Sequence, residues 1–238
     1  MSSGVLAIVQ ARLSSNRFPR KVLSDLHGAP MVIRQLERIA RCTRIDQVVV
    51  ATSTESSDDE LVDVLEAHDV VVRRGSLANV FERFTTVIDE FSPAHVVRLT
   101  ADCPLTDPTV IDDLVELHVS SGADYSSNVM ERTFAHGLDA ECATSAVFSR
   151  LAKLTLTQQE REHVTLGIYS RPTEFEFSSL TQPVDQSSLR WTVDYPSDLD
   201  FVRAVYAKLY DSKPAFATRD VVELINEYPA LRHTADSI

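Results

Sequence analysis

Through its first half the chain alternates short β-rich apolar runs with amphipathic helical stretches, and few folds accept that pattern. Val5 to Val9, Gln47 to Ala51, Val70 to Val72 and His95 to Leu99 are predicted strands. Between them the spacing predicts helices. One follows Gly28-Ala29-Pro30 with apolar Val32, Ile33, Leu36, Ile39 and Ala40; another follows Ser76 with Leu77, Val80, Phe81, Phe84, Val87, Ile88 and Phe91. Ser56 or Ser57 offers a cap before a helix whose first turn carries Asp58, Asp59 and Glu60. Asp107-Pro108 opens a further helix that stops near Gly122. Strand–helix alternation of this kind demands right-handed crossovers and a mostly parallel sheet covered by helices on both faces.

The second half changes character. Asp124 to Val129, Glu174 to Ser178 and Leu189 to Val193 are predicted strands, some of them antiparallel, forming a smaller β-rich extension. Thr157 with Glu160 makes a capping box for a helix expected to run to about Arg171, and two helices close the chain, after Pro196 and from about Thr218 to Tyr228. No linker or repeat divides the 238 residues, so we expect one α/β domain.

Charge and cysteine usage narrow the function. The 23 basic and 35 acidic residues leave a net charge of −12 with no basic block, which disfavours a nucleic-acid or membrane-surface partner. Cys42, Cys103 and Cys142 are scattered, without a CxxC, pointing to a reducing compartment and away from structural zinc. The amino terminus lacks a signal-peptide pattern and no run approaches a bilayer span, so the expected location is cytoplasmic.

In open parallel sheets ligands bind beyond the carboxyl ends of the strands. The first strand runs into Gln10-Ala11-Arg12-Leu13-Ser14-Ser15-Asn16-Arg17-Phe18-Pro19-Arg20-Lys21, where four cations fall within ten residues among hydroxyls and an amide. Such a loop can surround a triphosphate with charge-assisted hydrogen bonds, or be an ordinary solvated turn. It contains neither a Walker loop nor a GxGxxG after the strand. Other strands end at Thr52-Ser53-Thr54, Gly75-Ser76, Ala101-Asp102-Cys103-Pro104 and Asp194-Tyr195-Pro196.

The stretch Gln-Ala-Arg…Ser…Arg-Phe-Pro-Arg-Lys-Val-Leu resembles the signature of the cytidylyltransferase family, with the spore-coat polysaccharide branch nearest. Matching blocks follow in order: Val49 to Thr54, Arg74-Gly75-Ser76…Asn79-Val80, Arg98 to Leu105, His136 to Glu141, Arg161 to Thr165, and Leu189 to Leu199. The resemblance covers nearly the whole chain. It implies a Rossmann-like nucleotide-diphosphosugar transferase fold, with residues 1–125 as a nucleotide-binding half and residues 126–238 as an acceptor-binding half.

By the same resemblance, Arg12 and Lys21 are the catalytic cations, contacting the triphosphate of CTP and neutralising the departing pyrophosphate. Gln10, Ala11, Arg17, Thr52, Ser53, Ser76 and Asn79 join them around the nucleotide. Asp102 and Asp194 match the carboxylates that hold magnesium, an ion suited to one or two carboxylates plus phosphate and water oxygens. Asn128, Asp139, Glu141, Arg161, Glu162 and His163 are expected at a small anionic acceptor, a sugar acid, sugar phosphate or phosphonate. His163 is either a general base or a binding residue, and Arg132 and Arg190 are further candidates for the acceptor's charge. Asp102 and Asp194 could instead be capping residues, and Ser76 a helix cap. A homodimer is compatible with the family. The branch usually carries glycine where Ser14 stands and often another at Arg20, so side chains here are expected to grip phosphate more than the backbone does. Two alternatives are a nucleotide-sugar-dependent glycosyltransferase, disfavoured by Ala101-Asp102-Cys103 in place of Asp-x-Asp, and a non-catalytic nucleotide sensor.

Overall fold

The computed structural model describes residues 4–234. Strand β1 (Val5–Gln10) lies at the centre, and its continuous apolar run is buried on both sides, as a central parallel strand requires. Val5, Ala7 and Val9 face one core, and Leu6 and Ile8 face the other. After a loop and a 3-10 turn at Lys21–Leu23 comes a small hairpin, β2 (Asp25–Leu26) with β3 (Ala29–Pro30), then helix α1 (Met31–Ile39). Next in the chain are β4 (Gln47–Ser53), α2 (Asp59–Glu66), β5 (Val72–Gly75), α3 (Val80–Phe91), β6 (His95–Thr100) and α4 (Pro108–Ser121).

The remaining elements are β7 (Tyr125–Ser127), β8 (Glu141–Thr144), α5 (Ser145–Leu151), α6 (Gln158–Glu162), α7 (Leu166–Tyr169), β9 (Phe177–Ser179), α8 (Pro196–Leu209) and α9 (Thr218–Glu227). The central sheet has the order β5-β4-β1-β6-β8-β7-β9. Its first four strands are mutually parallel, β8 runs against both neighbours, and β9 is parallel to β7. The β-rich extension is therefore the far edge of the same sheet. One core packs α1, α2, α4, α8 and α9 against one face; the other packs α3, α5 and α7 against the opposite face. Among the described residues no helix is long and apolar enough to cross a membrane.

Local chemistry explains most boundaries. Asp107 accepts a hydrogen bond from the Thr109 N–H at 2.9 Å, Pro108 takes the first turn of α4, and Gly122 ends it at φ 68°. Three expectations change. The capping box at Thr157 and Glu160 is present, but α6 stops at Glu162 because His163 leaves helical geometry (φ −103°, ψ 79°) before α7 begins. The Leu189–Val193 strand is reduced to isolated bridges, His136 with Arg190 and Leu189 with Thr234. Neither Ser56 nor Ser57 caps α2; both lie in a 3-10 turn, and the residue preceding α2 is Asp58, whose side chain makes no cap hydrogen bond.

Candidate active site

The carboxyl ends of β1 and β6 open onto a cleft of about 380 Å³, lined by Gln10, Ala11, Arg12, Ser15, Asn16, Arg17, Lys21, Val22, Thr100, Ala101, Asp102 and Asp194. Lys21 is its anchor. The 3-10 turn buries this side chain, and its Nζ donates to Asp102 Oδ2 at 2.9 Å, Asp194 Oδ1 at 3.0 Å and the Val193 carbonyl at 2.7 Å. Burial alone would lower the Lys21 pKa, but the two carboxylates outweigh it and hold the ammonium above its usual value. Two carboxylates far apart in sequence thus converge on one cation.

Asp194 is further held by Arg17 at 2.6 Å and Arg190 at 3.0 Å. Burial opposes its ionisation, yet hydrogen bonds from Lys21, Arg17 and Arg190 keep its pKa below the ordinary carboxylate value. The capping role is taken instead by Asp198, which accepts from the Asp194 and Tyr195 N–H groups at 2.7 and 2.8 Å and from Arg190. Asp194 is thereby left free of cap duty and turned toward Lys21, and Arg190, bound between Asp194 and Asp198, braces this side of the cleft. Arg83 of α3 is only 2% exposed, and its pKa is pushed down to about 10 by burial and by the charge of Arg12.

A second cleft of about 440 Å³ adjoins along β6. Arg98, Thr100, Val129, Met130, Arg132, Asp139, Glu141, His163, Thr165 and Tyr169 line it, with Thr100 common to both clefts. Glu141 is buried and receives Arg98, the Tyr125 hydroxyl at 2.5 Å and the Thr165 hydroxyl at 2.7 Å. Burial works against its ionisation, but Arg98 and the two hydroxyls keep its pKa low. Arg132 grips Asp139 through both carboxylate oxygens, at 2.6 and 3.0 Å.

Other expected site residues fall elsewhere. Thr52 and Ser53 are fully buried and turn their hydroxyls to Asp58. Ser76 accepts from the Asn79 N–H at 3.0 Å, and Asn79 caps α3 by accepting from the Glu82 N–H at 3.2 Å. Asn128 is buried and splints residues 138–140, donating to the Leu138 carbonyl and accepting from the Ala140 N–H. Arg161 and Glu162 are exposed on α6 and line neither cleft, whereas His163 stands at the rim of the second.

A family model described as cytidylyltransferase matches residues 6–225. The chain belongs to that family. This cytidylyltransferase is 30% identical, over 94% of its length and 95% of the relative's, to the spore coat polysaccharide biosynthesis protein SpsF of Bacillus subtilis. A solved cytidylyltransferase from Leptospira borgpetersenii superposes with a TM-score of 0.90 at 26% identity, covering 98% of each chain. The mitochondrial 3-deoxy-manno-octulosonate cytidylyltransferase of Arabidopsis thaliana is 31% identical over 62% of this chain and 51% of its own.

The cytidylyltransferase loop departs from its branch at two positions with different consequences. Arg20 adopts the left-handed conformation (φ 62°, ψ 14°) that glycine accepts without strain, and an ion pair with Glu60 at 2.5 Å accompanies it. Ser14 is not among the residues with positive φ, so a side chain there meets no such penalty. Cys103, beside Asp102, is buried and its thiol is pushed well up by burial, which argues against a thiolate nucleophile. Ser15 and Asn16 line the first cleft as part of the loop expected around a triphosphate, whereas Thr100 and Tyr169 were not expected as lining residues. Thr100 carried a signal all the same, since it is the last residue of a central strand and stands two positions before Asp102.

Proposed function

We propose that the chain transfers CMP from CTP to a small anionic acceptor with release of pyrophosphate, in one domain whose residues 1–125 hold the nucleotide and residues 126–238 close over the acceptor. The observation that carries this reading is the convergence of Asp102, Asp194 and Lys21 at the base of a cleft rimmed by Arg12 and Arg17. The carboxylates fit a magnesium ion, since both reach the same ammonium from positions far apart in sequence. Magnesium commonly takes one or two carboxylates, leaving its other positions to phosphate oxygens and water.

In this mechanism Asp102 and Asp194 would hold the metal, which would supply Lewis-acid polarisation of phosphate oxygens. Lys21 Nζ, which faces the same cleft, donates to the triphosphate, its ammonium offering hydrogens to phosphate oxygens. Arg12 and Arg17 counter the charge that develops on the leaving pyrophosphate. The acceptor oxygen approaches the α-phosphorus in line from the second cleft, where Arg132, Asp139 and Glu141 orient its charged and hydroxyl groups. His163, which lines the second cleft, is our candidate to take the acceptor's proton, with a binding contact as the alternative role. A relative named for 3-deoxy-manno-octulosonate supports a sugar acid as the first acceptor to try.

The test is pyrophosphate release with magnesium and each of CTP, UTP, ATP and GTP against pools of sugar acids, sugar phosphates and phosphonates. Release with CTP and one acceptor class, abolished in Asp102→Ala and Asp194→Ala, is the expected result. Failure to bind any triphosphate would overturn the reading.

A further inference from the structure

Asp58 immediately precedes α2, yet its carboxylate does nothing for that helix and is fully buried beneath the first cleft's loop. Its Oδ1 accepts from the Leu13 N–H at 2.7 Å. Its Oδ2 accepts from the Ser53 N–H at 3.2 Å, from the Thr52 hydroxyl at 3.1 Å and from the Ser53 hydroxyl. One side chain, 45 residues beyond Leu13 in sequence, therefore ties the loop that follows β1 to the end of β4.

The point it grips is the hub of the loop. The Leu13 carbonyl accepts from the Ser15 N–H at 2.9 Å and the Arg20 N–H at 3.0 Å, closing the loop on itself, while the Leu13 side chain is buried in the core. Two residues earlier, the Ala11 N–H is fixed to the Ala51 carbonyl at 3.2 Å. Arg12 is thus held between two pinned amides, those of Ala11 and Leu13. We propose that Asp58 is a positioning residue for nucleotide binding, acting through the main chain to aim Arg12 at the phosphates; this rests on reading the first cleft as the CTP site.

The chemistry requires a carboxylate. Leu13 and Ser53 present backbone N–H groups, which can only donate, to opposite oxygens of Asp58. An asparagine has one acceptor oxygen, so its NH₂ would confront one of these N–H groups and release that side of the clamp.

The experiment is a double-mutant cycle of Asp58→Asn with Arg12→Ala. A displacement of about an ångström can cost on the order of a hundredfold in rate. We expect Asp58→Asn to raise the KM for CTP roughly tenfold or more, with the acceptor KM changed by less than about twofold. In the Arg12→Ala background the same substitution should change the CTP KM by less than about twofold, because residues acting as one unit are non-additive. Equal factors in both backgrounds would overturn the assignment, since a general loss of stability does not depend on Arg12. Amide hydrogen exchange over residues 12–20 should quicken in Asp58→Asn; unchanged exchange there would also overturn it.

Should Asp58→Asn fail to fold, Ser53→Ala removes a single hydroxyl donor from the same carboxylate. It should shift the CTP KM in the same direction by a smaller factor, again only when Arg12 is present. A Ser53→Ala effect that persists without Arg12 would mean direct contact with the nucleotide and would defeat the proposal. If the wild-type chain neither binds nor turns over CTP, the functional reading falls and this proposal with it. Wild-type turnover with an unaffected Asp58→Asn variant removes the Asp58 assignment alone.

Discussion

Replacing Lys21 by methionine removes the ammonium that touches both Asp102 and Asp194 while keeping most of the side-chain volume. Stripping one partner from a buried ion pair typically costs about 3–5 kcal/mol, because the remaining charge is stranded. Here the loss is smaller. Asp194 keeps Arg17 and Arg190, and the Asp102 side chain retains 27% exposure, so water can reach it. We therefore expect about 1–2 kcal/mol, which for a chain of this size lowers Tm by roughly 2–8 °C. If Asp102 and Asp194 hold a divalent ion as proposed, that ion competes with the ammonium for both carboxylates in the wild type and meets no such competitor in Lys21→Met. Metal at about a hundred times its Kd stabilises by roughly 2.7 kcal/mol, enough to reverse the deficit. The assay is thermal unfolding of both proteins with and without magnesium, in the absence of nucleotide. Magnesium should raise the variant's Tm well beyond the wild type's shift, while CTP turnover in the variant drops on the order of a hundredfold or more. Equal metal shifts in the two proteins, or turnover within a factor of about three of wild type, would refute the reasoning.

Gly137 is a second point of leverage. It sits at φ 100°, and a Cβ there would overlap the Thr192 nitrogen and lie 2.5 Å from the Trp191 carbonyl carbon. Both obstacles are backbone, so Gly137→Ala should cost at least about 3 kcal/mol, visible as a collapsed urea midpoint or failure to accumulate as soluble protein. His118 supplies a pH dependence: it is buried against Ser126 and His95, and burial with the neighbouring His95 pushes its pKa down to about 4. A folded pKa below the unfolded value of about 6.5 means the unfolded chain binds the proton first. This contribution is thus intact above pH 6.5 and drains away as pH falls toward 4, by roughly 3 kcal/mol. The urea midpoint of wild type should decline across that window, and His118→Gln should flatten the decline.

Much of the fold was legible because its signals were local and redundant. β1, β4 and β6 announce themselves as apolar runs, α3 by six apolar positions at helical spacing (the seventh expected, Leu77, precedes the helix), and α4 by Asp107-Pro108 at one end and Gly122 at the other. β8 was not visible, for Glu141-Cys142-Ala143-Thr144 has no β-branched run, and only its place between β6 and β7 makes it a strand. The Leu189 to Val193 segment has strand composition but spends its backbone on single bridges to His136 and Thr234. In the site, Arg12, Arg17, Lys21, Asp102 and Asp194 all line one cleft. Thr52 and Ser53 were legible as strand-end hydroxyls, but not the direction they face. That direction is set by Asp58, whose place in an acidic Asp58-Asp59-Glu60 run made it look like a helix-dipole residue.

The sharing of β6 by both clefts has a consequence for how such a protein can diversify. Arg98 and Thr100 sit two positions apart on one hydrogen-bonded strand, roughly 6.6 Å along its axis. The step from a residue lining the second cleft alone to one lining both clefts is thus set by a backbone ladder, as on a ruler. Substitutions on the far bank, at Met130, Arg132, His163 or Tyr169, can reshape that cleft without moving the ruler. Changes in β6 itself would be felt on both banks at once, so variation among related sequences should collect on the far bank and thin out along the strand.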